Sequence, residues 1–160
     1  MTELDVGDKA PDFCLPDKDG EVLCLKELEG EHVVLYFYPR DGTPGCTRQA
    51  KELSAMLPEF EKRGAIVVGV NPDSQESHRK FAEKNGLTVR LLSDEDNSVV
   101  ESYGVWKMKK MYGKEFLGVV RSTFMIGPDG IIKAVWPKVK VPGHVEEVLA
   151  KLDEIREEMV

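Results

Sequence analysis

Cysteine is scarce in this chain. Its 160 residues hold three, at 14, 24 and 46, and no two of them form a Cys-x-x-Cys pair. That absence argues against a disulfide reductase. Three cysteines are also too few for a disulfide scaffold, so they point to redox chemistry instead. Long apolar runs are missing as well: nothing approaches the ~20 residues that a membrane-spanning helix needs. Positive charge is in deficit. The formal net charge of -7 argues against broad nucleic-acid binding. Glutamine occurs only at 49 and 75 while Glu and Lys abound, a bias associated with thermophilic proteins.

What is present suits one globular unit. Hydrophobic residues make up 41% and charged residues 32%, enough for a core under a highly charged surface. A single domain over residues 1–160 is expected. The opening Met1-Thr2-Glu3-Leu4-Asp5 has no signal-peptide pattern, so the expected location is the cytoplasm.

The chain is organised around residues 33–60. Val33 to Tyr38 is an unbroken apolar and aromatic run, as in a strand buried on both faces. Pro39 stops it, because proline cannot donate to a central ladder. Gly42, Pro44 and Gly45 then shape a tight loop. After Cys46 the spacing becomes helical, with Ala50, Leu53, Leu57 and Phe60 on one face. Cys46 therefore sits at a helix start. There the unpaired N–H groups and about half a positive charge stabilise a thiolate, the nucleophilic form of the side chain. Thr43, three residues earlier, can donate its hydroxyl to the sulfur or to a substrate oxygen. The competing reading of Cys46 is an inert core cysteine. Two prolines and two glycines around it are more than packing needs.

Pro39-x-x-x-Thr43-x-x-Cys46 resembles the active-site signature of the peroxiredoxins. The longer run Tyr36-Phe37-Tyr38-Pro39 through Thr43-Pro44-Gly45-Cys46-Thr47 most resembles their bacterioferritin comigratory protein (Q-type) branch. Ala10-Pro11-Asp12-Phe13 and Arg121-Ser122-Thr123-Phe124 extend the likeness over most of the chain. The resemblance implies a thioredoxin-like α/β fold, with a mixed central sheet flanked by helices and an N-terminal β-hairpin. It also implies a thiol-dependent peroxidase that reduces hydrogen peroxide and organic hydroperoxides through a sulfenic acid at Cys46. No cofactor and no metal are expected.

The remaining segments fit that fold. Residues 6–15 are extended, Asp17-Lys18-Asp19-Gly20 is a turn, and 21–25 return as a hairpin partner carrying Cys24 opposite the arm of Cys14. A three-residue loop would pair Cys14 with Cys24 and a two-residue loop would pair it with Leu25; the sequence leaves both open. The plainer reading of the two cysteines is a pair of small side chains, given a reducing compartment. Pro58 is expected to kink the helix after Cys46 or to start a second one. Gly64 ends it, and residues 65–70 form a second buried strand. Ser74 caps a helix over 75–85 that Gly86 stops, with His78 as a solvated polar residue. Residues 88–92 form a third strand. The acidic run 93–97 lacks an EF-hand pattern and reads as a solvated loop. Residues 105–118 mix lysines with Trp106, methionines and aromatics and have no clear period. Residues 119–126 and 131–136 read as an antiparallel pair, and 145–158 as a helix.

Arg121 falls within the first strand of that pair, among apolar neighbours, where a charge needs a reason. The alternatives are a structural ion pair or an outward-facing position. The family resemblance places it beside Cys46. At an effective dielectric of about 20, opposite charges about 4 Å apart attract by about 4 kcal/mol. Half of that favours a thiolate by more than tenfold, at about 1.4 kcal/mol per factor of ten. A guanidinium can also hydrogen-bond the peroxide, which a point-charge lysine would do less well. Pro39 would shield the site, and Gln49, one turn into the helix, would add a hydrogen bond.

The chain departs from the family at the resolving step. Many Q-type members carry a second cysteine five residues after the first, and here that position is Lys51. Resolution is left to an external thiol, to Cys14 or Cys24, or to another subunit. The favoured partner is external: thioredoxin, a glutaredoxin-like protein or a small thiol, serving a monomer or homodimer. The rival function is a redox-sensing module of the same fold without sustained turnover, which the complete Pro-Thr-Cys loop and Arg121 disfavour.

Overall fold

The computed structural model describes residues 4–159; the opening residues used in the signal-peptide reading lie partly outside them. Strand β1 (Cys14–Pro16) and β2 (Val22–Cys24) form the expected hairpin, followed by a 3-10 turn (Leu25–Leu28). Then come β3 (His32–Phe37), α1 (Pro44–Lys62), β4 (Ala65–Asn71), α2 (Gln75–Asn85), β5 (Arg90–Ser93) and α3 (Ser98–Ser102). Strands β6 (Trp106–Met111) and β7 (Lys114–Val119) form a second hairpin. β8 (Ser122–Ile126), β9 (Ile132–Trp136) and α4 (His144–Glu158) complete the order.

The central sheet runs β5-β4-β3-β8-β9. Its first three strands are parallel, and β8 and β9 are antiparallel to their neighbours, so the sheet is mixed as expected. β3 lies in the middle with every residue buried, which its unbroken apolar composition requires. Alternation along β3 divides the core. Val34 and Tyr36 pack with side chains of α1, α2 and α4, whereas Val33, Leu35 and Phe37 pack with the first hairpin and α3. Cys46 belongs to the first of these clusters.

Two local readings need correction. α1 runs through Pro58 as one helix. Proline removes the N–H that would bond the Ser54 carbonyl. The Thr88 hydroxyl donates to that carbonyl at 3.4 Å, and the Ser54 hydroxyl accepts from the N–H groups of Thr88 and Val89. The loop before β5 thus satisfies what Pro58 leaves unpaired. The run 119–126 is likewise not one strand. β7 ends at Val119 and β8 begins at Ser122, leaving Val120 and Arg121 as the link between two sheets.

Candidate active site

The loop from β3 to α1 delivers Cys46 to the third position of the helix. Gly42 takes a left-handed φ of +81°, Thr43 is the extended N-cap, and Pro44 opens the helix, where its missing N–H costs nothing. The N–H groups of Gly45 and Cys46 precede the first intrahelical bond, which Thr47 makes to the Thr43 carbonyl at 2.9 Å. Cys46 is 1% exposed, so its sulfur lies at the positive end of α1 and nearly out of solvent.

Arg121 reaches this sulfur from the β7–β8 link. Its Nη2 donates to Cys46 Sγ at 3.2 Å, and its Nη1 donates to Gln49 Oε1 at 2.6 Å. Gln49 is buried one turn into α1, so the helix that carries the cysteine also fixes the guanidinium that faces it. Gly45 gives the fork its room: a Cβ there would stand 3.1 Å from Arg121 Nη2. The link is pinned where its backbone meets the rest of the fold, Val120 N donating to Val105 O and Val139 N to Arg121 O, each at 2.8 Å.

The Thr43 hydroxyl is half-buried on the same loop and donates to the Arg40 carbonyl at 3.1 Å rather than to the sulfur. Pro39 is half-buried at the start of the loop, directly after the buried Tyr38. The geometry therefore brings Cys46, Arg121 and Gln49 into contact and keeps Thr43 and Pro39 on the adjoining loop. A buried sulfur meeting a guanidinium and free helix N–H groups is suited to thiolate chemistry on a small polar substrate.

A family model described as the AhpC/TSA family matches residues 6–135. The chain belongs to this family. It is 44% identical over 154 residues to peroxiredoxin Bcp of Bacillus subtilis, covering 96% of this chain and 98% of that one. It is 44% identical over 154 residues to peroxiredoxin Bcp of Escherichia coli, covering 96% and 99%. Among solved structures, a cysteine-to-serine variant of PrxQ from Xylella fastidiosa superposes with a TM-score of 0.92 at 39% identity, covering 98% of this chain and 99% of that one. Bacterioferritin comigratory protein of Xanthomonas campestris, described for its alkyl peroxide reduction activity, gives 0.84 at 43% identity over 89% and 90%. This peroxiredoxin has the thioredoxin-like fold and is a thiol-dependent peroxidase of the Q-type branch.

The peroxiredoxin loop has supports that the sequence reading missed. His78, expected in solvent, is fully buried. Its Nδ1 meets Asp41 Oδ2 at 2.7 Å and its Nε2 meets the Leu92 carbonyl at 3.1 Å. Asp41 also accepts from the Tyr38 and Ser77 hydroxyls, each at 2.7 Å. Its own N–H donates to Asp73 Oδ2 at 2.8 Å. Burial pushes the Asp41 carboxyl up, but the bond and charge of His78, with the two hydroxyls, hold it below the ordinary carboxylate range. The only sequence signal was a histidine one helical turn after the Ser74 cap, on the face that carries Phe81 and Ala82. Asp94, assigned to a solvated loop, is also buried and accepts from the N–H groups of Val99 and Val100 at the start of α3.

Tyr36 lies under the site. Burial pushes its phenol far up, with the nearby Cys46 acting in the same direction, so the ring stays neutral. Gly69 on β4 makes room for it: a Cβ there would stand 2.6 Å from Tyr36 Cζ.

Cys14 and Cys24 do not join this site. They face each other across β1 and β2, which settles the register, and they form a disulfide rather than two separate small side chains. The flanking bond from Leu25 N to Phe13 O makes theirs the closely spaced kind of antiparallel pair, with the two Cβ atoms near each other. Leu15 and Leu23, beside them, pack in the core cluster on the sheet face away from Cys46. Cys46 is the free cysteine. Lys51 is exposed and lines an open groove of about 910 Å³ between α1 and α2.

Proposed function

We propose that Cys46 is the reacting thiol of this peroxidase and that Arg121, Gln49, Thr43 and Pro39 serve it. The observation that carries this reading is the 3.2 Å contact from Arg121 Nη2 to a buried sulfur at the third position of α1. As a thiolate, Cys46 attacks the nearer peroxide oxygen. The O–O bond breaks, the departing oxygen takes a proton and leaves as water or an alcohol, and the sulfur becomes a sulfenic acid. Arg121 and the N–H groups at the helix start hold the two oxygens and stabilise charge developing on the one that leaves. The Thr43 hydroxyl turns from the Arg40 carbonyl to the bound peroxide. Gln49 acts through Arg121, holding one arm of the fork so that the other faces the sulfur. Pro39 limits solvent access.

The substrates on this reading are hydrogen peroxide and organic hydroperoxides, in keeping with the alkyl peroxide reduction described for the Xanthomonas relative. Lys51 excludes a second sulfur at the family's nearby position, so the sulfenic acid is resolved from outside, by thioredoxin, a glutaredoxin-like protein or a small thiol. The setting is a cytoplasmic monomer or homodimer with residues 1–160 as one domain. Among the described residues no helix is long and apolar enough to cross a membrane. The deciding experiment is steady-state peroxide consumption with dithiothreitol. Cys46→Ser, folded by circular dichroism, loses turnover; retained turnover would eliminate Cys46 as the reacting thiol.

A further inference from the structure

A second cation approaches this site from the hairpin that the sequence reading left uninterpreted. In the β6–β7 register Lys109 stands opposite Phe116, on a face shared with Gly118. Lys109 is half-buried, whereas its neighbours Met108 and Lys110 are exposed. Gly118 explains the difference. A Cβ at that position would stand 3.0 Å from Lys109 Cδ, so the glycine leaves a trough in which the lysine stem lies across β7. The stem ends with Nζ donating to the Val119 carbonyl at 2.9 Å. Val119 is buried and lies two residues before Arg121. The ammonium is thereby fastened to the end of the strand whose continuation carries the guanidinium.

We propose that Lys109 is a second cation of the thiolate site, favouring the Cys46 thiolate through its field and fixing the strand end from which Arg121 reaches the sulfur. The inference rests on Cys46 being the reacting thiol. Among the described residues the partners of the two cations are a backbone carbonyl, an amide oxygen and the sulfur itself, none of them a carboxylate. Ionising Cys46, with its proton passing to solvent, supplies the negative charge that the pair lacks. The electrostatics agree: burial pushes the Lys109 ammonium down, Arg121 pushes the same way, and Cys46 pulls it back up.

Lys107 is a further cation on the same face of β6, half-buried opposite Gly118, and the groups that approach from other elements add no positive charge. Tyr36, from β3, is held neutral by burial. His144, from α4, is pushed down by burial and by Arg121 against the pull of Glu147, and its Nε2 lies 2.9 Å from the Thr123 hydroxyl. Asp41, from the loop, is engaged with His78.

The test is the pH dependence of Cys46 alkylation by iodoacetamide, read alongside kcat/KM for hydrogen peroxide. Lys109→Gln moves the alkylation midpoint upward by about half a pH unit, a size suited to one removed charge at high effective dielectric. It also lowers kcat/KM for peroxide about threefold at pH values below the alkylation midpoint, where the thiolate fraction follows the midpoint one for one. Lys109→Arg restores both, and Lys110→Gln, an exposed change on the opposite hairpin face, leaves both unchanged. A midpoint unmoved in folded Lys109→Gln overturns the proposal, as does a failure of Lys109→Arg to restore it. Either result leaves Cys46 standing as the reacting thiol, whereas turnover by Cys46→Ser removes that reading directly.

Discussion

His78 Nδ1 lies 2.7 Å from Asp41 Oδ2, with the histidine closed to solvent and the carboxylate nearly so, and this contact ties α2 to the loop that carries Thr43. Asp41 is held below its ordinary carboxyl value of 3.8 despite burial. A depressed carboxyl contributes stability that is complete above its unfolded value and lost as pH falls through the folded one. Wild type therefore loses stability as the pH drops below about 4, and Asp41→Asn shows a flatter profile in that window. Urea midpoints from pH 6 down to 2.5 measure it; parallel profiles would separate Asp41 from the acid response. At neutral pH, Asp41→Ala leaves His78 and two hydroxyls without their acceptor and costs on the order of 3 kcal/mol.

Arg121→Lys keeps a positive charge and loses the fork. A single ammonium cannot hold Gln49 and face the sulfur together as the guanidinium does. Peroxide reduction slows by about tenfold to a hundredfold, the equivalent of one charge-assisted hydrogen bond in the transition state. The alkylation profile of Cys46 moves to higher pH. Stopped-flow peroxide reduction and iodoacetamide rates across pH read the two effects; wild-type values in both would take Arg121 out of the site.

Gly69→Ala tests the packing beneath the cysteine. The added methyl meets the Tyr36 ring inside van der Waals distance, and the ring is hemmed in on all sides. Overpacking of this kind costs about 1–3 kcal/mol. Denaturant unfolding gives the value; an unchanged midpoint would show that β3 and β4 separate freely at this point.

The hairpin sulfurs offer the sharpest test of resolution. Cys14→Ser with Cys24→Ser keeps most of its turnover with a small dithiol, because both residues flank the sheet face away from Cys46. After one equivalent of peroxide, the sulfenic acid is trapped by a dimedone-type reagent and appears by intact mass. A double variant that stalls after a single turnover would make Cys14 or Cys24 the resolving residue.

Much of this was legible because patterns repeat. Val33 to Tyr38 is an apolar run of strand length that Pro39 terminates, and the Ser74 and Gly86 signals bound α2 where the structure does. Arg121 was harder to place. Val119 and Phe124 flank it with an apolar pattern that two strands of different sheets produce as readily as one. Pro58 misled because its compensation comes from Thr88, thirty positions away, and local rules do not see such a partner. Lys109 was hidden for a similar reason: the trough that holds its stem, unlike that of exposed Lys110, is made by a glycine on the opposite strand.

The disulfide across the first hairpin leaves this chain one thiol with which to donate electrons. A single thiol yields two electrons on becoming a sulfenic acid, and any further electrons it gives to peroxide carry it to a sulfinic acid that thiols do not reduce. Isolated from any reductant, the protein clears one peroxide per molecule reversibly, and each further peroxide is spent on inactivating it. Its sustained flux is governed by the arrival of reducing equivalents, and when peroxide is plentiful the enzyme population rests in the oxidised form, waiting on its donor.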